Sequence, residues 1–137
     1  MRWIWAALAL QLIGYVFDIV WHGLLHPGEE PTTRSEMTHH LATVHLPLYI
    51  GAVAVLVATS AELLRRRGRG PVGRALPFAV AGALISVGAE AWHAASHLRL
   101  DTHEAPVAGI LSMIGFLVVL VAISRVAVAA RLARERP

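Results

Sequence analysis

The sequence predicts an all-α polytopic membrane protein, a bundle of four transmembrane helices in up-down order, and three observations predict it. The chain of 137 residues is 56% hydrophobic with a mean hydropathy of +0.59, and only 15% of its residues are charged, which is poor in charge for a soluble domain of this size. Its apolar residues gather in four runs, about Trp3–Leu25, Leu41–Leu64, Ala75–Leu98 and Ala105–Ala130. Each is long enough, at about 1.5 Å per residue, to cross about 30 Å of hydrocarbon. All eight histidines stand at the ends of these runs, and up-down order brings every one of them to the same membrane face.

The first run opens with Met1-Arg2-Trp3, as a secretory signal does. Apolar sequence nevertheless continues past Tyr15 and Phe17 with no small-residue cleavage site, so a retained span is expected. His26-Pro27-Gly28 stops it, because proline cannot continue a helix. Thr33-Arg34-Ser35-Glu36 has the spacing of a capping box and predicts that the second helix starts in the loop outside the bilayer. Gly68, Gly70, Pro71 and Gly73 break the chain after the second run, and Pro77 is tolerated in the first turn of the third. Asp101-Thr102-His103-Glu104 repeats the capping-box spacing ahead of the fourth run. The four runs make one domain, residues 1–137.

A short internal correspondence links the two halves. Trp21-His22-Gly23-Leu24-Leu25-His26 matches Trp92-His93-Ala94-Ala95-Ser96-His97, and His39 precedes Ile50-Gly51 by the interval at which His103 precedes Ile114-Gly115. Read as a repeat, it pairs two helical hairpins about a pseudo-two-fold axis. Glycines at positions 14, 51, 82, 88, 109 and 115 are expected where helices pack.

The net charge of +3 and pI near 10.6 do not point to nucleic acid, because the arginines stand beside the spans: Arg65, Arg66, Arg67, Arg69 and Arg74 in one loop, Arg131, Arg134 and Arg136 after the last run. This is the positive-inside pattern. It predicts an inner-membrane protein with N- and C-termini in the cytoplasm and the histidine-rich face outside. The lipid bilayer is the expected partner, together with a second copy or another membrane subunit.

The absence of cysteine excludes disulfides and thiolate ligands, leaving histidine nitrogen and carboxylate oxygen for any metal. Asp18, His22 and His26 fall on one helical stripe; Glu90, His93 and His97 fall on another. Two imidazoles four residues apart supply one ion from one helical face, and the acid one turn below binds or orients them. An acid near the bilayer centre costs about 2.5–3.5 kcal/mol, which a bound cation offsets. On the second helix His40 and His45 are five apart and point about 140° away from each other on an ideal helix. Both face one centre only if the helix is distorted, and Pro47 is close enough to distort it. His39 or His40 with Glu36, or else His45, are the options there, and His103 completes the set from the fourth helix. The expected site is thus His22, His26, His40, His45, His93, His97, His103, Asp18 and Glu90, holding zinc, copper or iron.

The two HxxxH pairs resemble the histidine boxes of the membrane-bound fatty-acid desaturase and hydroxylase family. That resemblance implies a di-iron centre on a four-span scaffold. The segment His39–His45 and the single His103 match neither of that family's later boxes, and the family carries its boxes on the cytoplasmic side. A b-type haem held by facing histidines is an alternative cofactor. Metal transport is disfavoured by wholly apolar cytoplasmic halves such as Val53–Ala58, and a pH-sensing accessory subunit is the reading without metal.

Overall fold

The computed structural model describes residues 1–29, 31–66, 75–101 and 105–135. Among them are five α-helices: α1 Arg2–Val20, α2 Arg34–His40, α3 Leu46–Arg66, α4 Leu76–Leu98 and α5 Ala105–Arg134. Single π-helical turns occupy Trp21–Leu25 after α1 and Leu41–His45 between α2 and α3. Because α2, its π turn and α3 form one rod, the bundle has four rods, Arg2–Leu25, Arg34–Arg66, Leu76–Leu98 and Pro106–Ala133, each long and apolar enough to cross a membrane. The second begins well before Leu41. The capping box explains why: Glu36 N–H donates to Thr33 Oγ1 at 3.3 Å, and the Glu36 carboxylate accepts from Thr33 N–H at 3.2 Å. Residues 67–74 of the arginine loop and residues 102–104 of the second expected cap, His103 among them, lie outside the described residues.

Each rod turns one stripe inward at helical spacing. On α1 the stripe is Ile4, Ala7, Leu8, Gln11, Gly14 and Tyr15, and the same spacing carries on into Asp18 and His22. On α4 it changes character along its length, from Leu76, Ala79 and Ala83 through Ser86 to Glu90, His93 and His97. The outer faces carry Leu12, Ile13, Ile50, Val53, Phe78 and Val121, all well exposed. Large apolar side chains turned outward on every rod are what a lipid solvent selects.

Four glycines bring the rods together. A Cβ on Gly51 would lie 2.5 Å from the Gln11 backbone and one on Gly14 would lie 2.5 Å from that of Leu48; Gly82 and Gly115 oppose each other in the same way. The register that aligns Trp21 with Trp92 also aligns Gln11 with Gly82, while Gly51 aligns with Gly115. The two hairpins therefore share an equivalent close contact. Gly88 and Gly109, also expected as packing positions, have open space instead.

At mid-depth a hydrogen-bonded group ties α1, α4 and α5. Gln11 Nε2 donates to Ser86 Oγ at 2.7 Å and Tyr15 OH at 3.2 Å; Tyr15 OH meets Ser112 Oγ at 2.6 Å, and Ser86 and Ser112 are 3.0 Å apart. Below it the core is apolar apart from Thr59, whose hydroxyl donates to the Val55 carbonyl at 2.7 Å, and near the arginine end the buried Glu62 takes Arg65 at 2.7 Å and also pairs with Arg66.

If the glycine contacts set the spacing of the rods, Gly115→Leu lowers the unfolding midpoint in detergent, at an overpacking cost of about 1–3 kcal/mol. Gly109→Leu leaves it unchanged. Equal midpoints for the two variants, followed by tryptophan fluorescence, would contradict the packing described.

Candidate metal centre

Five imidazoles and one carboxylate from three rods meet at the end of the bundle opposite Arg65 and Arg66. His22 comes from the first rod, His40 and His45 from the second, His93 and His97 from the third. His40 and His22 face each other through Nε2 at 3.3 Å, and His45 and His40 do the same at 3.2 Å. His93 and His97 meet through Nε2 at 2.8 Å. His45 lies between the two sets, its ring centroid 5.0 Å from both His40 and His93. Two groups, His22–His40–His45 and His45–His93–His97, each have ligand atoms within 4.8 Å of one another and could hold a metal ion.

The second π turn makes this convergence happen. Bonding from i to i+5 places residues five apart on one side, so the extra residue between His40 and His45 is absorbed and the pair acts as an HxxxH pair would. Pro47 has no N–H to give the carbonyl of residue 43, so an α-helical ladder is broken here in any case. Thr43 Oγ1 donates to the carbonyls of His39 at 2.8 Å and His40 at 3.2 Å, adding side-chain hydrogen bonds to the backbone at the turn. The distortion needed to aim both histidines inward is thus built from Pro47 and Thr43. His39, on the other face, is exposed.

The carboxylates take different places. Asp18 Oδ1 is 3.0 Å from His45 Nδ1 and 3.7 Å from His22 Nε2, beside the first group. Glu90 lies one turn before His93, 5% exposed, and belongs to neither group. Glu36 is occupied as the helix cap.

His26 does not join the cluster, contrary to the stripe expected for Asp18, His22 and His26. It precedes Pro27, and steric contact with a proline ring drives the preceding residue out of the helical region. Its φ of −134° and ψ of 55° show that departure. The His26 N–H gives the last π bond to Trp21 O at 2.8 Å; the ring lies over Trp21 with centroids 4.1 Å apart, and Nδ1 meets Glu29 Oε2 at 2.8 Å. On α4 the helix continues through His97 and ends only afterwards. There Leu100, at φ 58°, and Asp101 return their N–H groups to the carbonyls of His97 at 2.8 Å and Ser96 at 3.0 Å.

The group Gln11, Tyr15, Ser86 and Ser112 was not anticipated from sequence; its only signal is single polar residues standing in apolar runs at similar depth. No family model, curated protein or solved structure matches the chain.

Thr43→Val removes the hydroxyl that serves the π turn, and its unfolding midpoint should fall by the equivalent of about 1 kcal/mol. Thr38→Val, whose hydroxyl bonds Arg34 O within α2 at 2.8 Å, should cost less. The same loss in both would show that the π turn does not depend on Thr43.

Proposed function

We propose that the protein is an integral membrane metalloprotein that holds a borderline transition ion between His22, His40 and His45, with His93 and His97 offering a second position beside it. The spacing of the nitrogens carries this reading. Tetrahedral bonds of about 2.0–2.1 Å separate neighbouring nitrogens by about 3.3 Å, and the two contacts of His40 are 3.3 and 3.2 Å. Without an ion the arrangement is poor, since a neutral imidazole offers one N–H and the Nε2 of His40 faces two other Nε2 atoms. An ion takes a lone pair from each.

His45 fits a ligand's role on both edges. Nε2 turns to the shared centre while Nδ1 lies 3.0 Å from Asp18 Oδ1, an ion-pair distance from which a small turn of either side chain makes the hydrogen bond that fixes the tautomer of a metal-bound histidine. Asp18 is thus an orienting residue. A set of nitrogens with a nearby carboxylate and no sulfur suits zinc, copper or iron. Three protein nitrogens leave a fourth position for water or another small ligand, the form that reactive sites take. Haem gains no support, because two metal bonds of about 2 Å put axial nitrogens about 4 Å apart, wider than any of the facing Nε2 pairs.

The topology proposed with this site puts the arginine end in the cytoplasm and the cluster outside a bacterial inner membrane, by the positive-inside rule. Passage of a cation through the bundle is disfavoured. Between the mid-depth hydroxyls and Glu62 the described core consists of apolar residues such as Leu8, Val55, Ala79 and Val119, each at most 3% exposed, and of Thr59, whose hydroxyl is taken up by the Val55 carbonyl.

Purified protein should carry stoichiometric metal. His40→Ala should remove it, His26→Ala and His39→Ala should keep it, and Asp18→Asn should weaken it about 10–100-fold. Full metal content in folded His40→Ala, measured by mass spectrometry of the eluted metal, would refute the site.

A further inference from the structure

We propose that a cleft between α3 and α4 receives the hydroxyl end of a membrane-dissolved alcohol. The cleft, of about 190 Å³, is lined by Tyr49, Ala52, Val53, Val87, Glu90, Ala91 and Ala94. Its floor is Ala52 and Glu90, 1% and 5% exposed, and its mouth is at Val53 and Ala91 on the outer, apolar surface of the spans. It is smaller than the about 300–1,000 Å³ that encloses a drug-sized molecule. It therefore takes the end of a chain whose remainder stays in lipid.

Two polar groups sit in this otherwise apolar wall. Both carboxylate oxygens of Glu90 and the Tyr49 hydroxyl are buried and make no hydrogen bond of normal geometry among the described residues; Ser112 on α5 is the polar side chain that stands near Glu90 from the bundle interior. A buried polar group without a partner is costly, a carboxyl group especially so. A hydroxyl suits this pair because it carries one donor and two acceptor lone pairs. It can donate to Glu90 and accept from Tyr49 at once. Small side chains at 52, 91 and 94 leave room for the attached chain. The Tyr49 ring stacks on His45 with centroids 5.9 Å apart and planes 16° from parallel, so the cleft ends one side chain away from the imidazole common to both histidine groups. The proposal does not depend on a metal being bound there.

The test uses the full chain in phospholipid nanodiscs, titrated with 1-dodecanol while unfolding is followed by tryptophan fluorescence. A saturable rise in midpoint is expected, and dodecyl methyl ether, which cannot donate, should produce none. A hydroquinone with a short isoprenoid tail forms a parallel arm. Response to the alkanol or to the hydroquinone supports the cleft and tells which source of hydroxyl it accepts. Glu90→Leu should abolish the response, Tyr49→Phe should weaken it about tenfold, as the loss of one hydrogen bond does, and Ala91→Phe should block the mouth while leaving the acid in place. An equal response to the ether, or an unchanged response in Ala91→Phe, would overturn the proposal. Metal measured on the same samples separates the two readings. Loss of metal in folded Glu90→Leu would make Glu90 a ligand and overturn the cleft, whereas metal-free wild-type protein that still responds to the alcohol overturns only the metal site.

Discussion

The histidine cluster depends on an angular constraint in one helix. His40 and His45 are five positions apart, and an α-helix would turn the two imidazoles to different sides. The π turn Leu41–His45 takes up the additional residue, and His45 then stands between His22 and His40 on one side and His93 and His97 on the other. Straightening that turn would remove the residue shared by both groups. π turns of this kind commonly occur where function requires a departure from α geometry, and Thr43 and Pro47 supply the local chemistry for this one.

The bundle delivers the three rods to that point through close backbone contact. Lipid gives helices little hydrophobic reason to associate, so small residues at crossing points and buried hydrogen bonds carry much of the task. Gly14 and Gly51 serve the first hairpin, Gly82 and Gly115 the second, and the hydroxyls of Tyr15, Ser86 and Ser112 join across them at mid-depth. The interior is graded as a result. It is apolar but for Thr59 between the arginine end and the bundle centre, hydroxylated at the centre, and rich in imidazole and carboxylate beyond it. Polar groups are thereby concentrated in one half of the bundle.

Much of this architecture was legible in the amino-acid sequence. Hydropathy runs located the four rods, and Thr33 with Glu36 announced the capping box that starts the second rod ahead of its apolar run. The α4 pair His93 and His97 came together as their spacing implied, because α4 stays regular until after His97. His26 did not, although Pro27 was visible: four-residue spacing was weighed there without the conformational demand that proline places on the residue before it. On the second rod the need for distortion was evident, but its form was not, since periodicity assumes α geometry and an inserted residue shifts everything on one side of it. His40-x-x-x-x-His45 followed by Pro47 is, in retrospect, an HxxxH pair with one residue added. Glu90 looked equivalent to Asp18 by position, yet only Asp18 lies against an imidazole nitrogen, because which edge of a stripe meets the neighbouring rod is set by helix packing and not by spacing.

X-ray absorption at the metal edge of the purified, metal-loaded protein tests the central claim most directly. The account predicts at least three nitrogen scatterers at about 2.0–2.1 Å with the outer-shell pattern of imidazole rings, and loss of an imidazole contribution when His45 is replaced. A spectrum with oxygen neighbours alone, or one unchanged in the folded His45 variant, would contradict it.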